Sequence, residues 1–235
     1  MHKLKFLIQN IQSALFIENF AFRNKLGIAS EINKCVSDLF DGDPTMLDVP
    51  PEAPPEIPRI LLKDSIPNHS LNFSPIRLDF FYNEPQKPEK TLDTLKDDYL
   101  RYLFNIAALV KDGYRLSITR VAIILKALSD VEKSSNLLIH ENFLGKKPFF
   151  KDSYSLEIHA LEKTTMNGYD INRWFRIKTV RGKPTEEDNS LLVEIDVNTL
   201  PEKPRDFSLE EIKHFFNKSI DLIKTNFPNC FGIPL

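Results

Sequence analysis

Glycine is scarce in this chain, with only 7 among 235 residues. Phosphate-cradling loops need clustered glycines so that the backbone can approach the anion, and no such cluster is present, which excludes a dinucleotide fingerprint and a P-loop. Cysteine is scarcer still. Cys35 and Cys230 lie near opposite ends, without a CxxC pair or a histidine at zinc-finger spacing, so reduced thiols and no metal are expected. Long apolar runs are missing as well, and nothing approaches the ~20 residues that span a bilayer. Near the N-terminus Lys3 and Lys5 precede Phe6, Leu7 and Ile8, but Gln9, Asn10 and Gln12 interrupt the run before a secretory core forms. A cytoplasmic location and no membrane contact are the expectation. HExxH, a serine nucleophile elbow and the kinase signature set are all lacking, so no catalytic residue and no cofactor is assigned. Nor is there an excess of one charge. Lys plus Arg total 31 against 33 Asp plus Glu, and a net charge of -2 produces no global field toward nucleic acid or anionic lipid.

What the chain does have is apolar bulk, 42% hydrophobic, with 18 phenylalanines. That composition predicts a folded core filled largely by aromatic rings. From Lys5 to Ile17 the residues Ile11, Ser13, Leu15 and Ile17 recur at period two, with Ala14 and Phe16 on the other side, predicting a long strand. From Arg23 the period lengthens. Leu26, Ala29, Ile32, Val36 and Leu39 share one face of a predicted helix that ends near Asp41 and Gly42. Pro44, Pro50, Pro51, Pro54, Pro55 and Pro58 then exclude helix and central strand, leaving an ordered crossover or a polyproline ligand. Arg59–Lys63 and Leu71–Tyr82 read as two strands joined through Ile66-Pro67-Asn68-His69, with Pro75 requiring an edge or a bulge. Thr91 opens a helix striped by Leu92, Leu95, Tyr99, Tyr102, Ile106 and Val110 and stopped by Asp112-Gly113.

The second half repeats this plan. A strand over Tyr114–Leu128 leads through an irregular stretch to strands in which Leu156, Ile158 and Ala160 alternate with Glu157, His159 and Leu161, and Leu191, Val193, Ile195 and Val197 with Glu194, Asp196 and Asn198. Ser208 and Glu211 form a capping box for a last helix that buries Ile212, Phe215, Phe216, Ile220 and Ile223. The fold class is α+β, with antiparallel sheet or sheets and helices gathered on one face. Two similar halves are expected, residues 1–112 and 113–235, packed as one unit.

Two constellations carry chemistry. Arg173, Arg176, Lys178, Arg181 and Lys183 surround Trp174 and Phe175 without an intervening acid, so they could hold phosphates while Trp174 stacks on an unpaired base. A competing reading pairs Asp170–Arg181 with Leu191–Asn198 across a turn at Glu186–Asn189, so that Arg176 and Lys178 face Asp196 and Glu194 and satisfy one another. Glu157 and His159 share one face of a strand and could converge with His140, Glu141 or His214 in a metal or acid–base site, while a solvent-facing hydrogen-bonded pair is the commoner role for such residues. His69, in a turn, is a weaker candidate.

Pro58-Arg59-Ile60-Leu61-Leu62, Ser74-Pro75-Ile76-Arg77-Leu78, Leu191-Leu192-Val193-Glu194-Ile195-Asp196 and a closing helix through Phe215 and Phe216 to Phe231-Gly232 resemble a sporadically distributed family of uncharacterised prokaryotic proteins of about this length. The resemblance spans most of the chain and brings no catalytic residues. It implies an accessory role, of the kind found in bacterial defence or toxin–antitoxin loci. Function is therefore expected to be non-enzymatic: a module that binds another protein or itself, with nucleic-acid binding through residues 173–183 and a hydrolase or nuclease around Glu157 and His159 as the alternatives.

Overall fold

The computed structural model describes residues 5–50, 52–66, 68–84, 88–131, 134–145, 155–166, 168–180, 190–202 and 205–229. In chain order the elements are β1 (Leu7–Ile17), α1 (Lys25–Cys35), β2 (Thr45–Met46), β3 (Ile60–Lys63), β4 (His69–Ser74), β5 (Arg77–Asn83), α2 (Leu92–Ala108), β6 (Ile118–Asp130), α3 (Ser135–Phe143), β7 (Glu157–Met166), β8 (Tyr169–Val180), β9 (Ser190–Thr199) and α4 (Leu209–Asn229). The strands form one 9-stranded sheet in the order β2-β3-β4-β5-β1-β6-β9-β8-β7, and every pairing is antiparallel. The two long strands β1 and β6 meet at the centre, where Ala14 lies opposite Ala122. Each is followed in the chain by a helix, a run of strands that builds outward-to-inward on its own side, and a second helix.

Alternation determines which side is covered. Ile11, Leu15, Leu78, Phe80, Leu71 and Phe73 on one half, and Val121, Ile123, Leu125, Val193, Ile195 and Val197 on the other, are buried on a single face. All four helices lie there. Tyr99 of α2 reaches Ser13 of β1, Phe143 of α3 packs its ring 6.3 Å from Phe175 of β8, Asn105 of α2 donates to the Cys35 carbonyl of α1, and Ile212, Phe215, Phe216, Ile220 and Ile223 of α4 are buried in the same core. The α4 stripe is the one expected from its spacing, and its capping box forms: Glu211 accepts from the Ser208 N–H and hydroxyl, each at 2.9 Å.

Several elements depart from the pattern reading. Leu71–Tyr82 is not one strand but the β4–β5 hairpin, turned at Pro75 and Ile76. Proline cannot donate into a ladder, and the chain relieves this by reversing, with the Ser74 hydroxyl donating to the Arg77 carbonyl. The first helix ends at Cys35, short of Asp41, because Ser37 and Asp38 take left-handed φ values of 57° and 56°. Leu26, placed on its buried face by spacing, is 65% exposed, and Ile28 is buried instead. The stretch after β6 contains α3, where no helix was expected. The second long helix does run to Asp112-Gly113, its end widened into a π-helical turn over Leu109–Gly113. The turn at Glu186–Asn189, Cys230 and Phe231-Gly232 lie outside the described residues.

Candidate functional site

No helix among the described residues lies on the second face of the sheet. An antiparallel sheet can leave one face to water if that face is built of polar and amphipathic side chains, and this one is. Reading the registers across the centre, one row runs Asn72, Asp79, Ala14, Ala122, Asn198, Asn172 and Lys163, and its neighbour runs Lys63, Ser70, Phe81, Gln12, Ile124, Asp196, Trp174 and Leu161. The small side chains of Ala14 and Ala122 allow longer neighbours to lean over the middle, so both alanines, Asp79 and Asn198 are buried although no element covers them.

Polar groups on this face are largely satisfied by one another. Gln12 Nε2 donates to Asp79 Oδ1 at 2.9 Å, and Arg77 Nε donates to Asp79 Oδ2 at 2.7 Å. Phe16 lies between Arg77 and Arg120 in the ladder, with the two guanidinium carbons 5.7 Å and 4.5 Å from its ring centre. Arg120 also donates to the Thr199 carbonyl (2.9 Å) and to Asn198 Oδ1 (3.1 Å), and burial pulls its guanidinium below the usual range. Glu194 takes Arg176 on one side and Lys126, at 3.2 Å, on the other. Burial raises the Asp196 carboxyl, a shift opposed by the hydrogen bond donated from Asn198. On the β1, β4 and β5 side, Asn10, Gln12, Ser70, Asn72, Phe81 and Asn83 line an open depression of about 610 Å³.

The basic run does not form one cationic strip. Period two sends Trp174, Arg176 and Lys178 to the uncovered face and Arg173 to the other, where it is bonded to Glu162. Arg176 is opposite Glu194, where the competing reading set it against Asp196, so an opposite charge is met in a register two residues away, and its guanidinium carbon sits 5.5 Å from the Trp174 ring centre. Lys178 faces Leu192 and Glu157 and not Glu194, and the partner of Asp196 on β8 is Trp174. Arg181 and Lys183 lie outside the described residues. Lys163, from the edge strand, is a cation on this face that the sequence reading passed over. Only the register reveals it.

Glu157 and His159 do form a pair, with His159 Nε2 2.9 Å from Glu157 Oε1, and each is about half exposed. His140 and Glu141 on α3 and His214 on α4 belong to helices on the opposite side of the sheet, so none of them converges with Glu157 and His159. No group of three or more His, Cys, Asp or Glu able to hold a metal is present among the described residues. His69 is on the helix side, 3.2 Å from Asp64 Oδ2, its ring parallel to Phe80 and edge-on to Tyr82 and Tyr102. Burial holds its pKa below the usual value, against the opposing pull of Asp64. Burial likewise pushes the Cys35 thiol up to about 11, which makes it a poor nucleophile.

No family model matches the chain, and no curated protein matches it. No helix of the described residues is long and apolar enough to cross a membrane.

Proposed function

We propose that the chain is a non-enzymatic binding module that takes a protein partner on the uncovered face of its sheet. The observation that carries this reading is the asymmetry of the sheet, with every helix on one face and the other bearing Phe16, Phe81, Ile124, Trp174 and Leu161 among amides and matched charges. Aromatic rings set in a polar, desolvatable frame are the composition of protein-recognition surfaces. Charge balance favours a protein over nucleic acid. Arg77 is held by Asp79, and Arg176 and Lys126 share Glu194, so these three cations are already matched and less free to displace counterions from a phosphate backbone. An accessory role in a prokaryotic defence or toxin–antitoxin locus accords with the family resemblance.

The chain has a single tryptophan, and it stands on this face, so its emission reports directly on occupancy. Crosslinking in host cells, followed by mass spectrometry, is expected to join a polypeptide to the wild type but not to a Phe81→Ala, Trp174→Ala variant that keeps its circular dichroism and melting temperature. With the crosslinked polypeptide purified, Trp174 emission should change on titration. Undiminished crosslinking of the double variant would remove the face from the reading. Tight binding of single-stranded DNA or RNA, weakening steeply with salt and lost in Arg176→Glu, Lys178→Glu, would replace it with the nucleic-acid alternative.

A further inference from the structure

The two edges of the sheet are built differently. One ends in β2, two residues long, followed by a proline-rich crossover that leaves almost no template for another strand. The other ends in β7, ten residues without proline or glycine, and no described strand pairs with its outer side. Glu157, His159, Ala160, Leu161, Glu162, Lys163 and Thr165 are exposed, Leu161 at 44%. A long edge without proline or glycine offers a template for another strand, and its charges Glu157, Glu162 and Lys163 restrict pairing to a strand that matches them.

We infer that β7 is a self-association edge, and that a second copy of the chain docks on it antiparallel about Ala160. A two-fold axis through a pair of like edges must bring residues of the same face together, so only registers with an even residue sum are allowed. In the register centred on Ala160, Glu157 meets Lys163 of the second copy twice over, and His159 meets Leu161. Centring on Leu161 would set Lys163 against His159, and centring on His159 would leave Glu157 against Leu161. Only the Ala160 register matches opposite charges at both ends. Glu157 has Lys178 beside it on β8 and His159 on its own strand, and Lys163 has Asn172 opposite and Asp170 on the diagonal, so the second copy would add an opposite charge to each. This inference concerns the edge and does not depend on the partner proposed for the face.

Sedimentation equilibrium and light scattering across micromolar concentrations test it. Wild type is expected to be a monomer–dimer system. Glu157→Lys alone places lysine against lysine at both ends and Lys163→Glu alone places glutamate against glutamate, so each should weaken the dimer on the order of tenfold or more. An equimolar mixture of the two restores both opposite-charge pairs and should recover heterodimer, an outcome that local damage to either chain cannot imitate. Phe81→Ala, Trp174→Ala should dimerise as wild type. A wild-type chain that stays monomeric throughout, single variants that dimerise as well as wild type, or a mixture that fails to recover would each overturn the inference.

Discussion

The Tyr99 hydroxyl ties the central helix to the central strand, and removing it gives a defined cost. Tyr99 is buried on α2; its hydroxyl donates its one proton to the Phe80 carbonyl and accepts from the Ser13 hydroxyl, both at 2.9 Å, while its ring stacks on Phe80 with centroids 4.9 Å apart. Its burial pushes the phenol pKa up, so the group is a neutral donor at any pH at which the protein folds. In Tyr99→Phe the ring and its packing stay, and what is lost is the hydroxyl. Ser13 has no exposed surface and no water to turn to. Stranding a buried polar group costs ~1–3 kcal/mol, more than the ~1 kcal/mol net value of an ordinary hydrogen bond, so the expected destabilisation is about 2 kcal/mol. Ser13→Ala alone should cost less, because the phenol keeps the Phe80 carbonyl. The double variant should then be more stable than additivity allows, since it strands no hydroxyl, with a coupling of ~0.5–3 kcal/mol. Urea unfolding followed by far-UV circular dichroism, with the slope checked for constancy, measures all three. A Tyr99→Phe cost below ~0.5 kcal/mol, or strict additivity, would refute the claim that this hydroxyl pair anchors α2.

Other expectations follow from the same physics. Ser208→Ala should cost about 1 kcal/mol by opening the α4 capping box, read as a shift in urea midpoint. Glu211 is held below the usual carboxylate range, first by the Ser208 backbone N–H. A depressed folded pKa means stability present above the unfolded value, ~4.3, and lost as pH falls through the folded one, so Glu211→Gln should flatten the acid limb of a stability–pH curve. His69 has its folded pKa lowered by burial, so the unfolded chain binds the proton first. Stability is then fully present above about pH 6.5 and falls as pH drops through the folded pKa; His69→Gln should reduce that fall, and an unchanged slope would show that the histidine does not titrate on unfolding.

Periodicity made the long elements legible because each has one buried side and one solvated side. Ile11, Ser13, Leu15 and Ile17 face the helices as their spacing predicts, and Ser13 belongs among them because Tyr99 gives it a partner. The α4 residues Ile212, Phe215, Phe216, Ile220 and Ile223 are all buried. Short elements were not legible. In α3, Leu137, Leu138 and Ile139 are consecutive and carry no helical period, and Pro75 read as a bulge because a strand on either side of it shows the same alternation as one longer strand. For the uncovered face, alternation was sufficient to separate Arg173 from Trp174, Arg176 and Lys178. It could not supply the register. Whether Lys178 meets Glu194 or Leu192 depends on where β8 and β9 align, and a two-residue slip keeps every side chain on its face while changing every partner. Gly168, at φ +82°, takes the left-handed conformation glycine favours between β7 and β8.

The face and the edge are linked by their position in the sheet. Trp174 is on β8, one strand in from β7, and pairs directly with Leu161. Dimerisation through β7 would continue the same uncovered face across the two-fold axis, because edge pairing preserves which side of the sheet each residue occupies. Strands lie about 4.8 Å apart, so β8 of one copy and β8 of the next would be separated by roughly 15 Å across the two edge strands. Two tryptophan-bearing surfaces at that separation form one contiguous site, not two remote ones. A partner long enough to reach both would gain effective concentration for the second contact with no new chemistry at either, whereas a partner filling only the depression beside Phe81, lined by β1, β4, β5 and Lys126 of β6, would gain nothing. On the proposed reading, two modes of recognition would be separated by distance from the edge, and the monomer–dimer equilibrium would tune only the one nearest it.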